Sequence, residues 1–190
     1  KKILKKKKND KRLMKVFKRL KKFQKMIKFV YQNKPEGTGH AVLQCKKYLK
    51  GTHFLMLLAD DLIIKKNCSK EMIKVHKKYK SSVMASMKVH KNKVKRWGIF
   101  SLKKNLDKNN FLITDVVEKP EINKAPSNYA VIGRYILPKS IFSKIKNLKK
   151  GTGGEIHITD AIRNLIQENS KFIGHNFKGK YLDCGTMDGY

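Results

Sequence analysis

Acidic side chains are scarce in this sequence: 14 Asp and Glu stand against 46 Lys and Arg, a formal net charge of +32 over 190 residues. So large an imbalance ordinarily points to nucleic acid or an anionic membrane surface as partner. Arginine is scarce as well. Arg12, Arg19, Arg96, Arg134 and Arg163 are the only five, which leaves 41 lysines spread along the chain. Nucleic-acid surfaces exploit the planar arginine fork and interleaved aromatics, and no such stripe is present. Much of the charge therefore reads as solvated surface, and no specific nucleic-acid partner is expected. A general attraction for anionic ligands survives.

Cysteine is rare: Cys45, Cys68 and Cys184 are odd in number, far apart and without a CxxC pair. That argues against a disulfide framework and a zinc site, and fits a reducing cytoplasm. The six histidines show no HExxH spacing. No apolar run approaches the ~20 residues of a membrane span, and no apolar signal core follows the basic N-terminus. A soluble, cytoplasmic protein of one domain, 1–190, is expected, since this length and a 40% hydrophobic content suffice for a real core.

Among what is present, the stretch His53–Ile64, HFLMLLADDLII, organises the rest. Six apolar residues, Phe54–Ala59, run into Asp60 and Asp61. The run suits a strand buried on both faces, as in a parallel sheet, although a buried helix segment has the same pattern. In an open α/β sheet, ligands bind beyond the carboxyl ends of strands. The acidic pair is then placed either to hold a cation against a ligand or to cap the next turn or helix.

Lys1–Lys22 reads as an amphipathic helix whose apolar residues Leu13, Met14, Val16, Phe17 and Leu20 pack inward, an anionic-membrane helix being the alternative. Met26–Tyr31 reads as a short strand, followed by the breaker-rich NKPEGTGH and a helix over His40–Tyr48. A strand, a glycine loop and a helix in succession can bring backbone amides to a ligand. GxG alone is neither a Walker loop nor a full GxGxxG fingerprint. Further on, Ser69–Tyr79 reads as a helix, Ser82–Val89 as a strand, and Gly98 of RWGIF as a close backbone approach. Phe111–Val117 and Asn128–Leu137 read as strands stopped by Pro120 and Pro138. Ile141–Leu148 and Ile158–Gln167 read as helices, the second capped by Thr159 or Asp160. The last part reads as a strand pair ending at Asp183. Alternating strands and helices predict an α/β fold with a mainly parallel central sheet.

Four strand-end positions line up in this reading: Gln32 with Gly37, Asp60, Glu118 with Lys119, and Asp183. The segments QNKPEGTGHAVL, FLMLLADDLI, RWGIF, VEKP, NYAVIGRYIL, GGEIHITDAI and YLDCGT fall in one order from Gln32 to Thr186. In this ordered set the sequence resembles the bacterial UTP-glucose-1-phosphate uridylyltransferases, within the sugar-nucleotide nucleotidyltransferases. The resemblance implies a Rossmann-like nucleotidyltransferase fold with a mixed, mainly parallel sheet flanked by helices. It implies UTP and glucose 1-phosphate as substrates, UDP-glucose and pyrophosphate as products, Mg2+ as cofactor, and a homo-oligomer for the full-length protein. Position by position, Gln32 and Gly37 match nucleotide-binding positions contacting uracil, and Asp60 matches a metal-holding carboxylate. Gly98 and Glu118 match sugar-binding positions. Lys119 matches the lysine that grips the sugar phosphate, and Asp183 a second metal-proximal carboxylate.

Such chemistry suits these residue types. Two polyanions must approach each other, so positioning and charge neutralisation do most of the work and no side-chain nucleophile is needed. The chain departs from the pattern in lacking a counterpart of the family's N-terminal G-x-G-T-R type loop and of the helical structure after DCGT. Ala59 stands where proline is usual and Trp97 where tyrosine is common. A fragment that is inactive alone is expected. The alternatives are a thymidylyltransferase or another sugar specificity and, in a different class, a non-catalytic polyanion-binding module.

Overall fold

The computed structural model describes residues 10–185 and 187, which fall into two units, Lys1–Asn33 and Lys34–Tyr190. In the first unit, helix α1 spans Lys11–Gln24, and Asp10 caps it by accepting the Leu13 N–H at 2.9 Å. None of its residues is buried, which corrects the inward-packing face expected from the apolar spacing. Met26–Tyr31 forms no strand. Met26, Ile27, Phe29 and Tyr31 are all more than half exposed, and apolar residues give a strand only where a neighbouring strand takes up the backbone hydrogen bonds.

In the second unit, helix α2 (Thr38–Gln44) precedes β1 (His53–Leu57), β2 (Asp61–Ile64), helix α3 (Cys68–Tyr79) and β3 (Ser82–Lys88). Then come β4 (Gly98–Asn105), β5 (Asn110–Glu118), β6 (Tyr129–Pro138), helix α4 (Ile141–Asn147), helix α5 (Ile158–Gln167), β7 (Phe172–Asn176) and β8 (Lys180–Asp183). Six strands form one sheet in the order β1-β6-β3-β7-β5-β4, with one extra pairing of β4 to β6, while β2 and β8 form a separate antiparallel ribbon. The fold is mixed α/β, as expected. The expected parallel majority is corrected, because β3 with β7 is the one parallel pairing among the described residues. An unbroken apolar run reports burial on both faces but carries no information about the direction of the neighbouring strands.

The sheet is covered on both faces. Ile141, Phe142 and Ile145 of α4 and Ile158, Ala161, Ile162 and Leu165 of α5 pack with Met84, Tyr135, Leu137 and Phe172. On the opposite face Cys68, Met72 and Val75 of α3 meet Val83, Ala85, Ile132, Ile136 and Ile173. The alternation of Val83, Met84 and Ala85 between the two cores is the period of two that a doubly buried strand requires. β1 is different. It is an edge strand among the described residues, half-buried rather than buried, and it ends at Leu57, three residues before Asp60.

Several local expectations change. GIFSLKKN, which the sequence left without an assignment, is β4, its exposed lysines masking the strand pattern. Helix α5 has the expected bounds, but its N-cap is His157 rather than Thr159 or Asp160. The Ile158 N–H is taken by Thr38 Oγ1 at 3.2 Å. β7 and β8 are not partners, for β7 sits in the main sheet and β8 leaves it to pair with β2. No helix among the described residues is long and apolar enough to cross a membrane.

Phe111 pairs across the sheet with Gly174, and a Cβ there would fall against the edge of the Phe111 ring. That ring is fixed in turn by Phe100 and Tyr129, with centroids 5.6 and 4.9 Å away. Overpacking such a site costs about 1–3 kcal/mol or more. Gly174→Ala is therefore expected to lower the denaturant midpoint by that amount of stability, and an unchanged midpoint would refute the close packing.

Candidate functional site

The site begins where the chain leaves the edge of the sheet. β6 carries an irregularity opposite β3: Met84 pairs with Tyr135 and Ala85 with Ile132, so Gly133 and Arg134 have no β3 partner. Such bulges re-aim side chains. Here the Leu58 N–H bonds the Gly133 carbonyl at 2.8 Å, and the buried Arg134 guanidinium donates to the carbonyls of Leu58 and Gly133, each at 2.9 Å, and of Asp61. The Asp61 carboxylate is engaged as well. It accepts the Gly133 N–H at 2.5 Å and the Tyr181 hydroxyl at 2.6 Å. Asp61 thus ties β2, β6 and β8 together.

Asp60 is left exposed at the tip of the turn, its carbonyl accepting the Cys184 N–H at 2.8 Å. Because Asp61 pairs with Asp183 across the ribbon, the Asp60 and Asp183 side chains converge. Asp60 Oδ2 and Asp183 Oδ1 lie 3.1 and 3.3 Å from the point where a Cβ on Gly185 would stand. The Gly185 N–H donates to Asp183 Oδ1 at 3.1 Å, and Arg96 reaches Asp183 Oδ2 at 3.4 Å. Neither Asp60 nor Asp61 caps the following helix, since Asn67 does so by accepting the Lys70 N–H at 2.9 Å. Helix capping is therefore not the role of either carboxylate.

A second wall comes from the β4–β5 pair. Gly98 and Glu118 are cross-strand partners, and Glu118 Oε2 would lie 3.1 Å from a Cβ on Gly98. The Lys119 N–H bonds the Trp97 carbonyl at 3.1 Å. Lys119 itself has a φ of +42°, a left-handed conformation that costs a side-chain-bearing residue about 1–2 kcal/mol. Both Glu118 and Lys119 are exposed, whereas the next residue, Pro120, is buried and anchors the turn. Strain of this kind concentrates at functional positions.

The two walls are joined by Arg96, which stands two residues before Gly98 and reaches Asp183 Oδ2 at 3.4 Å, and their charges are felt at the buried Tyr135. Its phenol is pushed up by burial and then by the carboxylates of Asp61, Glu118 and Asp60, with Arg134 acting in the opposite direction. The Tyr181 phenol is raised by burial first, then by its hydrogen bond to Asp61 and the charges of Asp61 and Asp183, while a hydrogen bond with Trp97 lowers it. Both phenols stay protonated at neutral pH, so Tyr181 remains a donor to Asp61.

The glycine loop has a structural role as well. Gly37 has a φ of +98°, and a Cβ on it would stand 2.6 Å from the Ile156 carbonyl oxygen. The Gly39 N–H is taken by that same oxygen at 2.8 Å, and the Ile156 N–H by Glu36 O at 2.8 Å. The glycines let this loop dock backbone to backbone on the segment before α5, so the Gly39 amide is taken up within the protein. Gln32 belongs to the first unit and lies in irregular chain after α1. Thr186, the last residue of YLDCGT, lies outside the described residues.

Among the described residues no three His, Cys, Asp or Glu side chains form a metal cluster. The Asp60–Asp183 pair nevertheless fits a hard divalent cation that keeps several waters and takes further ligands from a phosphate. Sequence reasoning missed Arg134 and Tyr181 as parts of this site, and it read Asp61 with Asp60 as one acidic pair although Asp61 is engaged by the Gly133 N–H and the Tyr181 hydroxyl. The available signal was an arginine within the apolar strand NYAVIGRYIL, since an unpaired buried charge is rare.

A family model described as nucleotidyl transferase matches residues 2–190. The UTP–glucose-1-phosphate uridylyltransferase of Pseudomonas aeruginosa is 36% identical over 167 residues, covering 85% of this chain and 59% of that protein. The protein of the same name from Mycoplasma pneumoniae is 32% identical over 166 residues, covering 86% and 57%. Among solved structures, a UDP-glucose pyrophosphorylase complexed with UDP-glucose matches with a TM-score of 0.79 at 38% identity, covering 86% of this chain and 62% of that one. A UTP-bound UGPase from Acinetobacter baumannii matches with a TM-score of 0.75 at 29% identity, covering 94% and 64%. The chain spans about six-tenths of the length of these relatives.

Proposed function

Since the chain belongs to the nucleotidyl transferase family, we propose that the intact protein transfers a uridylyl group from UTP to glucose 1-phosphate, giving UDP-glucose and pyrophosphate with Mg2+. The observation that carries this reading is the joining of two walls by Arg96, two residues before Gly98, which reaches Asp183 Oδ2 at 3.4 Å. One holds the paired carboxylates Asp60 and Asp183, the other Gly98, Glu118 and Lys119.

In the proposed reaction a phosphate oxygen of glucose 1-phosphate attacks the α-phosphorus of UTP, and the bond to the β-phosphate breaks as pyrophosphate leaves. Asp60 and Asp183 would hold the Mg2+, which supplies charge neutralisation and alignment of the phosphates. Lys119 places an ammonium against the incoming sugar phosphate, where repulsion between the two anions is greatest. Glu118 accepts hydrogen bonds from sugar hydroxyls, and the absent side chain of Gly98 leaves room for the ring. Gly37 is assigned to the uracil side, while Gln32 keeps only the nucleotide role that its motif implies. The 190 residues are read as one nucleotidyltransferase domain of a cytoplasmic homo-oligomer.

A second reading, a polyanion-binding module, is favoured only by the net charge of +32. Titration of the intact protein with UDP-glucose and with unrelated duplex DNA separates the two. The uridylyltransferase reading predicts selective UDP-glucose binding that persists between 50 and 200 mM salt, a range over which phosphate-driven DNA binding falls by about 10³-fold or more. DNA binding with that salt dependence and no effect of UDP-glucose would contradict it. Preference for a thymidine nucleotide would keep the family and change the base.

A further inference from the structure

Arg134 is nine-tenths buried within an otherwise apolar strand. No salt-bridge carboxylate faces it among the described residues; its fork is instead taken up by backbone carbonyls. It donates to Leu58 O and Gly133 O at 2.9 Å, and to Asp61 O. Two of these carbonyls bracket the turn that carries Asp60. The third belongs to Gly133, whose N–H is held by the Asp61 carboxylate. A side chain on Gly133 would collide with Asp61 and with Leu58, so strand and turn are in direct contact here. Tyr181 closes the arrangement from β8, two residues before Asp183.

We infer that Arg134 is a positioning residue: its guanidinium clamps the carbonyls of Leu58, Asp61 and Gly133 and thereby fixes Asp60 opposite Asp183. This rests on reading those two carboxylates as the divalent-cation pair. Arg134 does not itself touch substrate in this account. Only a planar fork with five donors serves several carbonyls at once, and a lysine ammonium, a single point of charge, cannot reproduce that pattern. The β6 irregularity at Gly133 and Arg134 is then the device that turns the side chain out of the ladder and onto the turn.

The test is Arg134→Lys in the intact protein, which keeps the charge and removes the fork. Three readouts apply: Mn2+ binding followed by EPR with UTP present, hydrogen exchange of peptides covering 57–62 and 82–88, and steady-state kinetics. Loss of a group that orients a metal ligand weakens metal affinity by about 10–100-fold. The expected result is a weakening of that size, faster exchange in 57–62 but not in 82–88, and a lower kcat with the KM for glucose 1-phosphate little changed. Unchanged metal affinity together with unchanged exchange in 57–62 would overturn the inference. Equal acceleration of both peptides would do so too, since it would make Arg134 a general stability residue. A rise in KM alone would instead mean direct substrate contact, contrary to the proposal.

If Arg134→Lys does not fold, Tyr181→Phe removes the donor to Asp61 without burying a new group. It is expected to weaken Mn2+ binding in the same direction, and unchanged binding would count against the clamp. Two of the readouts need no turnover. A wild-type protein that makes no UDP-glucose, with a metal-affinity loss in the variant, sinks the uridylyltransferase reading and leaves the clamp standing. A productive wild type with an unaltered variant does the reverse. A wild type that binds no Mn2+ removes the cation pair on which the inference rests and overturns it.

Discussion

Asp60→Ala in the intact protein is expected to lower kcat for UDP-glucose formation by about 10³-fold, equivalent to about 4 kcal/mol of lost transition-state stabilisation. The size follows from the division of labour between the two adjacent carboxylates. Asp61 is committed to the Gly133 N–H and the Tyr181 hydroxyl, so it cannot substitute for its neighbour. Asp183 is shared with Arg96 at 3.4 Å. In the proposed site Asp60 is therefore the carboxylate on which the cation would chiefly depend. Stability should change little, because Asp60 is exposed and its hydrogen bond with the Cys184 N–H is made by the backbone. Steady-state kinetics across a Mg2+ titration, with thermal melting as control, reads both quantities. Wild-type turnover in Asp60→Ala would remove Asp60 from the site.

Lys119→Ala is expected to lower kcat/KM by about 10²-fold, chiefly through the KM for glucose 1-phosphate, with the KM for UTP within a few-fold of wild type. A hydrogen bond to a charged group contributes about 1.5–3 kcal/mol. Here the partner would be a phosphate that must come up against the triphosphate. Lys119 is exposed, and its left-handed backbone is held by its N–H to the Trp97 carbonyl beside the buried Pro120. Lys119→Arg should recover only part of the loss, since a fork does not occupy the place of a point charge. A rise in the KM for UTP alone would assign Lys119 to the nucleotide instead.

The sequence carried some parts of this fold in legible form. SVMASM and, apart from Arg134, YAVIGRYIL are runs of apolar and small residues, and both lie on central strands whose residues are buried on two faces. Helix α5 was legible because isoleucine and leucine recur on one face of ITDAIRNLIQ. Strand direction was not, because it depends on which distant segments meet. The separation of DLII from HFLML was hidden as well: the apolar run continues through Leu58 and Ala59 while the backbone turns out of the sheet. Met26–Tyr31 has the composition of a strand but no ladder to join among the described residues.

The candidate site shows the same division. Asp60, Gly98, Glu118, Lys119 and Asp183 were found through motifs, each at the end or the start of a strand. Their grouping could not be read from spacing, because it is created by the β2–β8 and β4–β5 pairings and by the reach of Arg96 to Asp183. The glycine loop was read as a place for ligand amides, whereas Gly39 gives its N–H to Ile156. Glycine in a loop signals a close backbone approach but does not say whether the approaching group is a ligand or the protein itself.

The central claim is most directly tested by incubating the intact protein with UTP, glucose 1-phosphate and Mg2+ and measuring UDP-glucose and pyrophosphate together. The account predicts equimolar formation of both products, abolished by chelation of the divalent cation and reversed by added pyrophosphate. Absence of both products, with wild-type folding and with thymidine triphosphate and other sugar 1-phosphates equally inert, would contradict it.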